Sequence, residues 1–289
     1  MTATPQIYGE IMSQTEVLIV SKGHAYNHDA FLAMFDEWDD ISTTLVEQPA
    51  AQIILQPQHA EKYDAVLFYD MSGIPGVGLT HDESDINGQP TDAYRGAIES
   101  LIETGKGIVL LNHGTVSWPN WPLWREIHGS SFLLSSGEVF GENLPGSGYR
   151  GGHGPHPNPT FTLSPVDITH PVIKGIENGF SIADEIYIKS DNFEKNVLPL
   201  MRSDYSYSSE NFTAPPLAPP EEQENWNHPA GSNLVVWANA AGNSPVIASD
   251  IGDSPEAFSN KGFRTLLSNS LRWVASGEGR SWAKEFRKD

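Results

Sequence analysis

A chain of 289 residues with 37 acidic and 17 basic side chains carries a formal net charge of −20, so long-range repulsion makes phosphate backbones and anionic lipid surfaces poor partners. Cysteine is absent, which excludes disulfides, thiolate zinc sites and thiol nucleophiles. The opening "MTATPQIYGEIMSQTE" has neither a basic n-region nor an apolar h-region, and no apolar run approaches the roughly 20 residues that span a bilayer; the expectation is a cytoplasmic protein without nucleic-acid or membrane partners.

"EVLIVSK" (16–22) reads as a strand, followed by a loop rich in Gly and His. In "DAFLAMFDEWDD" (29–40), Phe31, Met34, Phe35 and Trp38 recur at helical spacing, with Asp29 as the expected cap. "STTLVE" and "YDAVLFYDM" are the second and third strands. "DAYRGAIESLIETGKG" is a helix that stops at Gly105 or Gly107, and "GIVLLN" is the fourth strand. Strands apolar on both faces, alternating with helices, predict a parallel sheet covered on both sides.

After residue 130 the rhythm loosens. "GENLPGSGYRGGHGPHPNP" (141–159) is too rich in Gly and Pro for a regular element, whereas "TFTLSPVD", "DEIYIKSD", "NVLPLMRSD", "NLVVWANA" and "SPVIASDIG" read as strands. "NKGFRTLLSNSLRWVASGE" is an amphipathic closing helix. The acidic, Pro-rich stretch 205–230 reads as a solvated loop insertion, with a lid over the site as the alternative. No internal repeat and no second core is visible, so 1–289 is expected to form a single domain with its core at 15–277.

In open parallel sheets, ligands bind beyond the carboxyl ends of the strands. The first strand delivers His24 and His28 to that rim, the third Tyr69 and Asp70, and the fourth Asn112, His113 and then Trp118. "GGHGPHP", with His153 and His156, and the acidic pair of "ADEIY" are placed to fold over it.

"VLIVSKGHAYNHDAF", "YDAVLFYDMSG", "GKGIVLLNHG", "HPVIKGI" followed by "DEIY", and "PVIASDIGDSPEAFSNKGFRTLLSNSLRWVASG" together resemble the ThuA family, the trehalose-utilisation-like proteins of the class I glutamine amidotransferase-like superfamily. The resemblance runs from about Glu16 to Gly277. It implies a flavodoxin-like, doubly wound α/β sheet and a place in carbohydrate metabolism through 3-keto-sugar intermediates. It also implies a difference: family members often carry a His after the late "DIG", where this chain has Asp253. The amidotransferase relatives present a cysteine at the end of a central strand, and "NHGTVS" offers His113 there instead, so thiolate hydrolysis of glutamine is excluded. Ser117 lacks the small-residue frame of a nucleophile elbow.

An imidazole titrates near neutral pH, so His113 is the candidate principal acid or base; the plainer alternative is that it bonds loop carbonyls. Glu185 is its candidate partner, or else a carboxylate that pins loop amides. Asp70, the third catalytic candidate, is expected to orient a histidine or cap the next segment. His24, His28, His153, Trp118 and Tyr187 are candidate substrate contacts, the tryptophan because indole faces stack on pyranose rings. Trp121 and Trp124 read as core, His170 as fixing a turn, and His59, His81 and His228 as solvated.

His24, His28, His113, His153 and His156 with a carboxylate would suit zinc or a similar divalent ion, although their spacing matches no recognised ligand signature. Nothing marks a nucleotide or flavin site, since the first loop lacks G-x-G-x-x-G. The expected partner is a small-molecule carbohydrate, and a homo-oligomer stays open. Three readings remain: a sugar or keto-sugar enzyme working by proton transfer, a non-catalytic carbohydrate-binding protein, and a metal-dependent hydrolase.

Overall fold

Alternation along the early strands divides their side chains between two apolar layers, and the helices follow that division. The computed structural model describes residues 14–74, 89–152 and 154–286. Its first half runs β1 (Thr15–Lys22), α1 (His28–Phe35), β2 (Ile41–Glu47), the one-turn helices α2 (Ala51–Ile54) and α3 (Pro57–Ala60), β3 (Ala65–Asp70), α4 (Asp92–Thr104) and β4 (Gly107–Leu111). A 3-10 turn, Asn112–Thr115, leads to α5 (Pro122–His128) and three short strands, β5 (Gly137–Val139), β6 (Glu142–Leu144) and β7 (Gly148–Arg150). Then follow β8 (Thr160–Pro165), β9 (Phe180–Ala183), β10 (Ile186–Ile188), β11 (Leu198–Ser203), α6 (Pro220–Glu224), β12 (Leu234–Ala241) and β13 (Ser244–Ser249). The chain closes with α7 (Pro255–Ser259), α8 (Lys261–Ala275) and α9 (Gly277–Phe286).

The main sheet has nine strands in the order β2-β1-β3-β4-β13-β12-β11-β8-β9. The first five pair in parallel, as the alternating pattern requires; from β13 onward every pairing is antiparallel. The sheet is therefore mixed, because the later strands are joined without crossover helices between neighbours, as in the tight β12–β13 hairpin. Val17, Ile19, Leu67, Tyr69, Val109 and Leu111 pack on one face with Phe31 of α1, Phe258 of α7 and Leu271 of α8. Leu18, Val20, Val66, Phe68, Ile108 and Leu110 pack on the other with Ile98 of α4 and Trp124 of α5. That two-sided cover is the doubly wound arrangement. Truncating one of these leucines to alanine costs about 2–5 kcal/mol.

Local signals place most ends. Thr91 Oγ1 accepts from the Tyr94 amide to start α4, and Gly105, at φ 77°, stops it. The cap of α1 is Asn27, not Asp29: its Oδ1 accepts the Ala30 amide at 2.9 Å, while Asp29 lies within the first turn, where a carboxylate favours the positive end of the helix dipole. The helix α9 continues past the expected core boundary, with Trp282 packed edge-on against Trp273. His170 does fix its turn, its Nδ1 accepting the Val172 amide. His228 is not solvated; it is buried, with Nδ1 2.7 Å from the Pro229 carbonyl.

Candidate functional site

Each parallel strand ends at the same edge and passes the chain into a loop there. At the end of β1 the chain turns through Gly23, at φ 91°, where an added Cβ would lie 2.0 Å from the Met71 carbonyl oxygen. That turn sets the His24 ring edge-on to Tyr69 and stacked on His113, with ring centroids 3.9 Å apart and planes 24° from parallel. His24 Nε2 lies 2.7 Å from the Tyr69 carbonyl; since a carbonyl only accepts, Nε2 carries the hydrogen.

His113 is held by the 3-10 turn at the end of β4. Asn112 takes a left-handed φ of 44°, a conformation Asn tolerates better than most residues. Thr115 Oγ1 donates to the Asn112 carbonyl, and Trp124 Nε1 donates to the Gly114 carbonyl at 3.0 Å. The Asn112 side chain is locked from the far side of the turn, because its Nδ2 donates to the Asp250 carbonyl at 2.9 Å. Beneath it lies a closed ion pair: Lys189 Nζ is 2.8 Å from Asp250 and 3.1 Å from Ser130 Oγ, and sits over the Trp237 ring.

A carboxyl group faces each nitrogen of the buried His113 ring. Glu185 Oε2 is 3.6 Å from Nε2 and Asp253 Oδ1 is 3.5 Å from Nδ1. Asp184 and Glu185, adjacent in sequence, divide the work that was open for Glu185 alone. Asp184 accepts the backbone amides of Gly252, Asp253 and Ser254, and so anchors the loop that carries Asp253. Glu185 is left to face the imidazole. Burial pushes the Asp184 carboxyl up to about 7 despite the Gly252 and Ser254 hydrogen bonds, with the charge of Asp253 adding to the rise. Burial, then Asp253, hold Glu185 well above the ordinary carboxylate range.

The hydrogen bonds to Glu185 act against that rise. The Tyr187 hydroxyl lies 2.9 Å from Asn112 Oδ1 and 3.1 Å from Glu185 Oε2. Tyr187 donates through that hydroxyl, and the Asn112 side chain also bonds Glu185; both contacts favour the ionised carboxylate, and burial outweighs them. Burial thus favours the protonated form of Glu185 beside the imidazole.

These groups form the floor of a cavity of about 320 Å³. Gly23, Met71 and Ile74 line it from the first and third strand ends, Val116 from just after the 3-10 turn, Phe132 and Leu134 from the loop after α5, and Tyr149 and Tyr187 from the β7–β10 ribbon. Of the glycine-rich segment, Gly152 lies against Glu185: a Cβ there, at φ 57°, would be 2.5 Å from Glu185 Oε1. Pro216 and Leu217 line the cavity as well, and Tyr207, Phe212 and Ala218 are buried. The 205–230 stretch is in part solvated and in part a wall of the cavity: half of its residues are exposed, and its Pro216 and Leu217 line the cavity.

His24, His113, Glu185 and Tyr187 come together as the topology required. Asp70 does not join them. Successive strand residues face opposite sides, so with Tyr69 turned toward His24 the Asp70 carboxylate turns away, accepting from Ser72 Oγ at 2.6 Å and Gln48 Nε2 at 3.1 Å. Trp118 is buried among Tyr94 and Trp121 and is absent from the cavity wall, so the aromatic surface there is Phe132, Tyr149 and Tyr187. His28 is exposed at the start of α1 and stacks on Tyr26. His153 lies outside the described residues. Ser117 is no nucleophile: its Oγ donates to the Asp70 carbonyl and accepts the Ser72 amide. The sequence marks Asp253 only as a departure from the family's usual His and not as a site residue, and carries no signal for Tyr149.

His24, His113 and Asp253 each offer a ligand atom, all within 4.8 Å of one another. Two imidazoles and a carboxylate are donors that zinc accepts, but the set differs from the expected one, since His28 and His156 are exposed and Asp253 enters. Zinc–nitrogen bonds of about 2.0–2.1 Å require both rings to aim at one point, so the near-parallel stack has to splay before an ion is held.

A mixed sheet with parallel strands at its centre, doubly wound and carrying its polar cluster beyond the carboxyl ends, is a class I glutamine amidotransferase-like, flavodoxin-type fold. The sequence profile of the family described as ThuA, trehalose utilisation, matches residues 16–274, and the chain belongs to that family. Among solved structures, a ThuA-like protein from Bacteroides uniformis is 20% identical over 95% of this chain and 96% of its own, with a TM-score of 0.60. One from Parabacteroides merdae is 15% identical over 92% and 91%, also with a TM-score of 0.60. PurLQS from Thermotoga maritima matches at 11% identity over 90% and 99%, with a TM-score of 0.50. No curated protein matches at a significant level. Among the described residues, no helix is long and apolar enough to cross a membrane.

Proposed function

We infer that the protein is an enzyme of carbohydrate metabolism that moves protons on a keto-sugar. The observation that carries this reading is the His113 imidazole set 3.6 Å from the buried Glu185 carboxyl, both lining the cavity. A neutral imidazole takes a proton from a carbon beside a ketone, and the Glu185 carboxyl gives its proton to the carbonyl oxygen, producing an enediol. Return of a proton at the neighbouring carbon isomerises the sugar. Alternatively, collapse of the enediol with loss of a glycosidic oxygen at the adjacent carbon eliminates the substituent, which leaves with a proton. Asp253, at the other ring nitrogen, stabilises the imidazolium formed in the first step. Asn112 and Tyr187 position the acid.

The experiment is proton exchange. A 3-keto-glucoside incubated in deuterium oxide should gain deuterium beside its ketone with the native protein and not with His113→Ala. Binding without exchange or any new product would instead make the protein a non-catalytic carbohydrate binder. A second reading, metal-dependent hydrolysis, has the His24, His113 and Asp253 cluster in its favour. There these residues would hold the ion, which would supply an activated water. Elemental analysis of the untagged protein separates the two: the first reading expects turnover that survives removal of divalent metal, and the second expects its loss.

A further inference from the structure

We propose that the substrate is a neutral glycoside with an apolar aglycone, an aryl or branched alkyl group, rather than a disaccharide. This rests on the proton-transfer reading of the same cavity. Besides the two sheet faces, the protein has a third, smaller apolar cluster built on Ile74, Val116, Phe132 and Tyr187, with Met71, Leu134 and Tyr149 packed against it. Every member of that cluster lines the cavity, and Pro216 and Leu217 extend its apolar surface. The cluster therefore presents its apolar side to whatever enters.

The polar groups of the described wall are concentrated on one side. They are His24, His113, Glu185 and the hydroxyls of Tyr149 and Tyr187. His24 Nε2 is committed to the Tyr69 carbonyl, and the Tyr187 hydroxyl to Asn112 and Glu185. Among the described residues, what remains serves one sugar ring. A second pyranose would press its hydroxyls against Met71, Ile74 and Leu134, where each unbonded hydroxyl costs about 1–3 kcal/mol. An aryl or alkyl group in the same place buries its surface against those side chains and loses no hydrogen bond. No lysine or arginine occurs among the described lining residues to pair with a phosphate, so a phosphorylated sugar is a poor fit.

The test uses the full chain and three probes that share the reacting ring: the phenyl, methyl and glucosyl 3-keto-glucosides, compared by calorimetry and by deuterium exchange. The phenyl compound should bind about tenfold or more tightly than the methyl compound, and the glucosyl compound no more tightly than the methyl. Leu217→Ser, in the half-exposed wall segment, and Leu134→Asn should each bring the phenyl-to-methyl ratio toward one. Tightest binding of the glucosyl compound, with exchange retained, would overturn the aglycone assignment and leave the proton-transfer reading standing. Absence of both binding and exchange for all three probes would overturn that reading and the assignment with it.

Discussion

Two buried polar clusters share the same stretches of chain and end in opposite electrostatic states. Lys189 and Asp250 form a closed pair, with Ser130 and Thr115 taking up neighbouring hydrogen-bonding capacity. Four residues before Lys189 and three after Asp250, Glu185 and Asp253 flank an imidazole instead of an ammonium. In the first cluster a full cation balances the carboxylate, and the result is a rigid support for the His113 turn. In the second, two carboxyl groups face one imidazole, and burial raises the Glu185 carboxyl well above its ordinary range. A titratable carboxyl thus stands four residues along the chain from a buried ion pair.

The largest contrast is in activity. His113→Ala should lower turnover on a keto-sugar by about 10²- to 10⁴-fold while leaving the melting temperature nearly unchanged, measured by product formation alongside thermal unfolding. Lys189→Met attacks the support instead. It leaves Asp250 buried without its cation and should cost about 3–5 kcal/mol in urea unfolding, whereas pairing it with Asp250→Leu should recover most of that loss.

The pH dependence of stability sharpens the difference further. Asp184, raised from 3.8 to about 7, and Glu185, raised well above 4.5, hold protons in the folded state that the unfolded chain releases. Their contribution to stability is complete below the unfolded carboxylate range and declines as pH climbs from about 4 through 7 and beyond. Glu185→Gln keeps the neutral shape without the titration, so its urea midpoint should fall less steeply with pH than that of the native chain. The smallest effect is expected for Thr115→Val, which removes the hydroxyl bonded to the Asn112 carbonyl and should cost about 1 kcal/mol with a modest loss of turnover.

Much of this arrangement was legible in the residues. Strand-helix alternation placed β1 to β4 and their helices, and the rule that ligands meet parallel sheets at their carboxyl ends brought His24 and His113 together. Asp70 sits one residue beyond Tyr69, and strand alternation, which placing both at the rim overlooked, turned it to the far side. Where reading failed elsewhere, a longer-range constraint decided. Trp118 carries an unusual φ of 49° that sends its ring into the core. The Pro-rich stretch has a solvated composition, yet it pairs with the β7 segment through Tyr149 and Thr213 and covers the cavity. Asp184 and Glu185 are neighbours with the same chemistry; only the tertiary position of the 252–254 loop assigns the amides to one and the imidazole to the other.

The ionisation state of Glu185 is the point on which this chemistry turns, and infrared spectroscopy reads it without any substrate. At pH 7 the difference spectrum between the native protein and Glu185→Gln should contain the carbonyl stretch of a protonated carboxyl group. A spectrum showing only the loss of a carboxylate band would mean that Glu185 is ionised, and that His113 has no acid beside it.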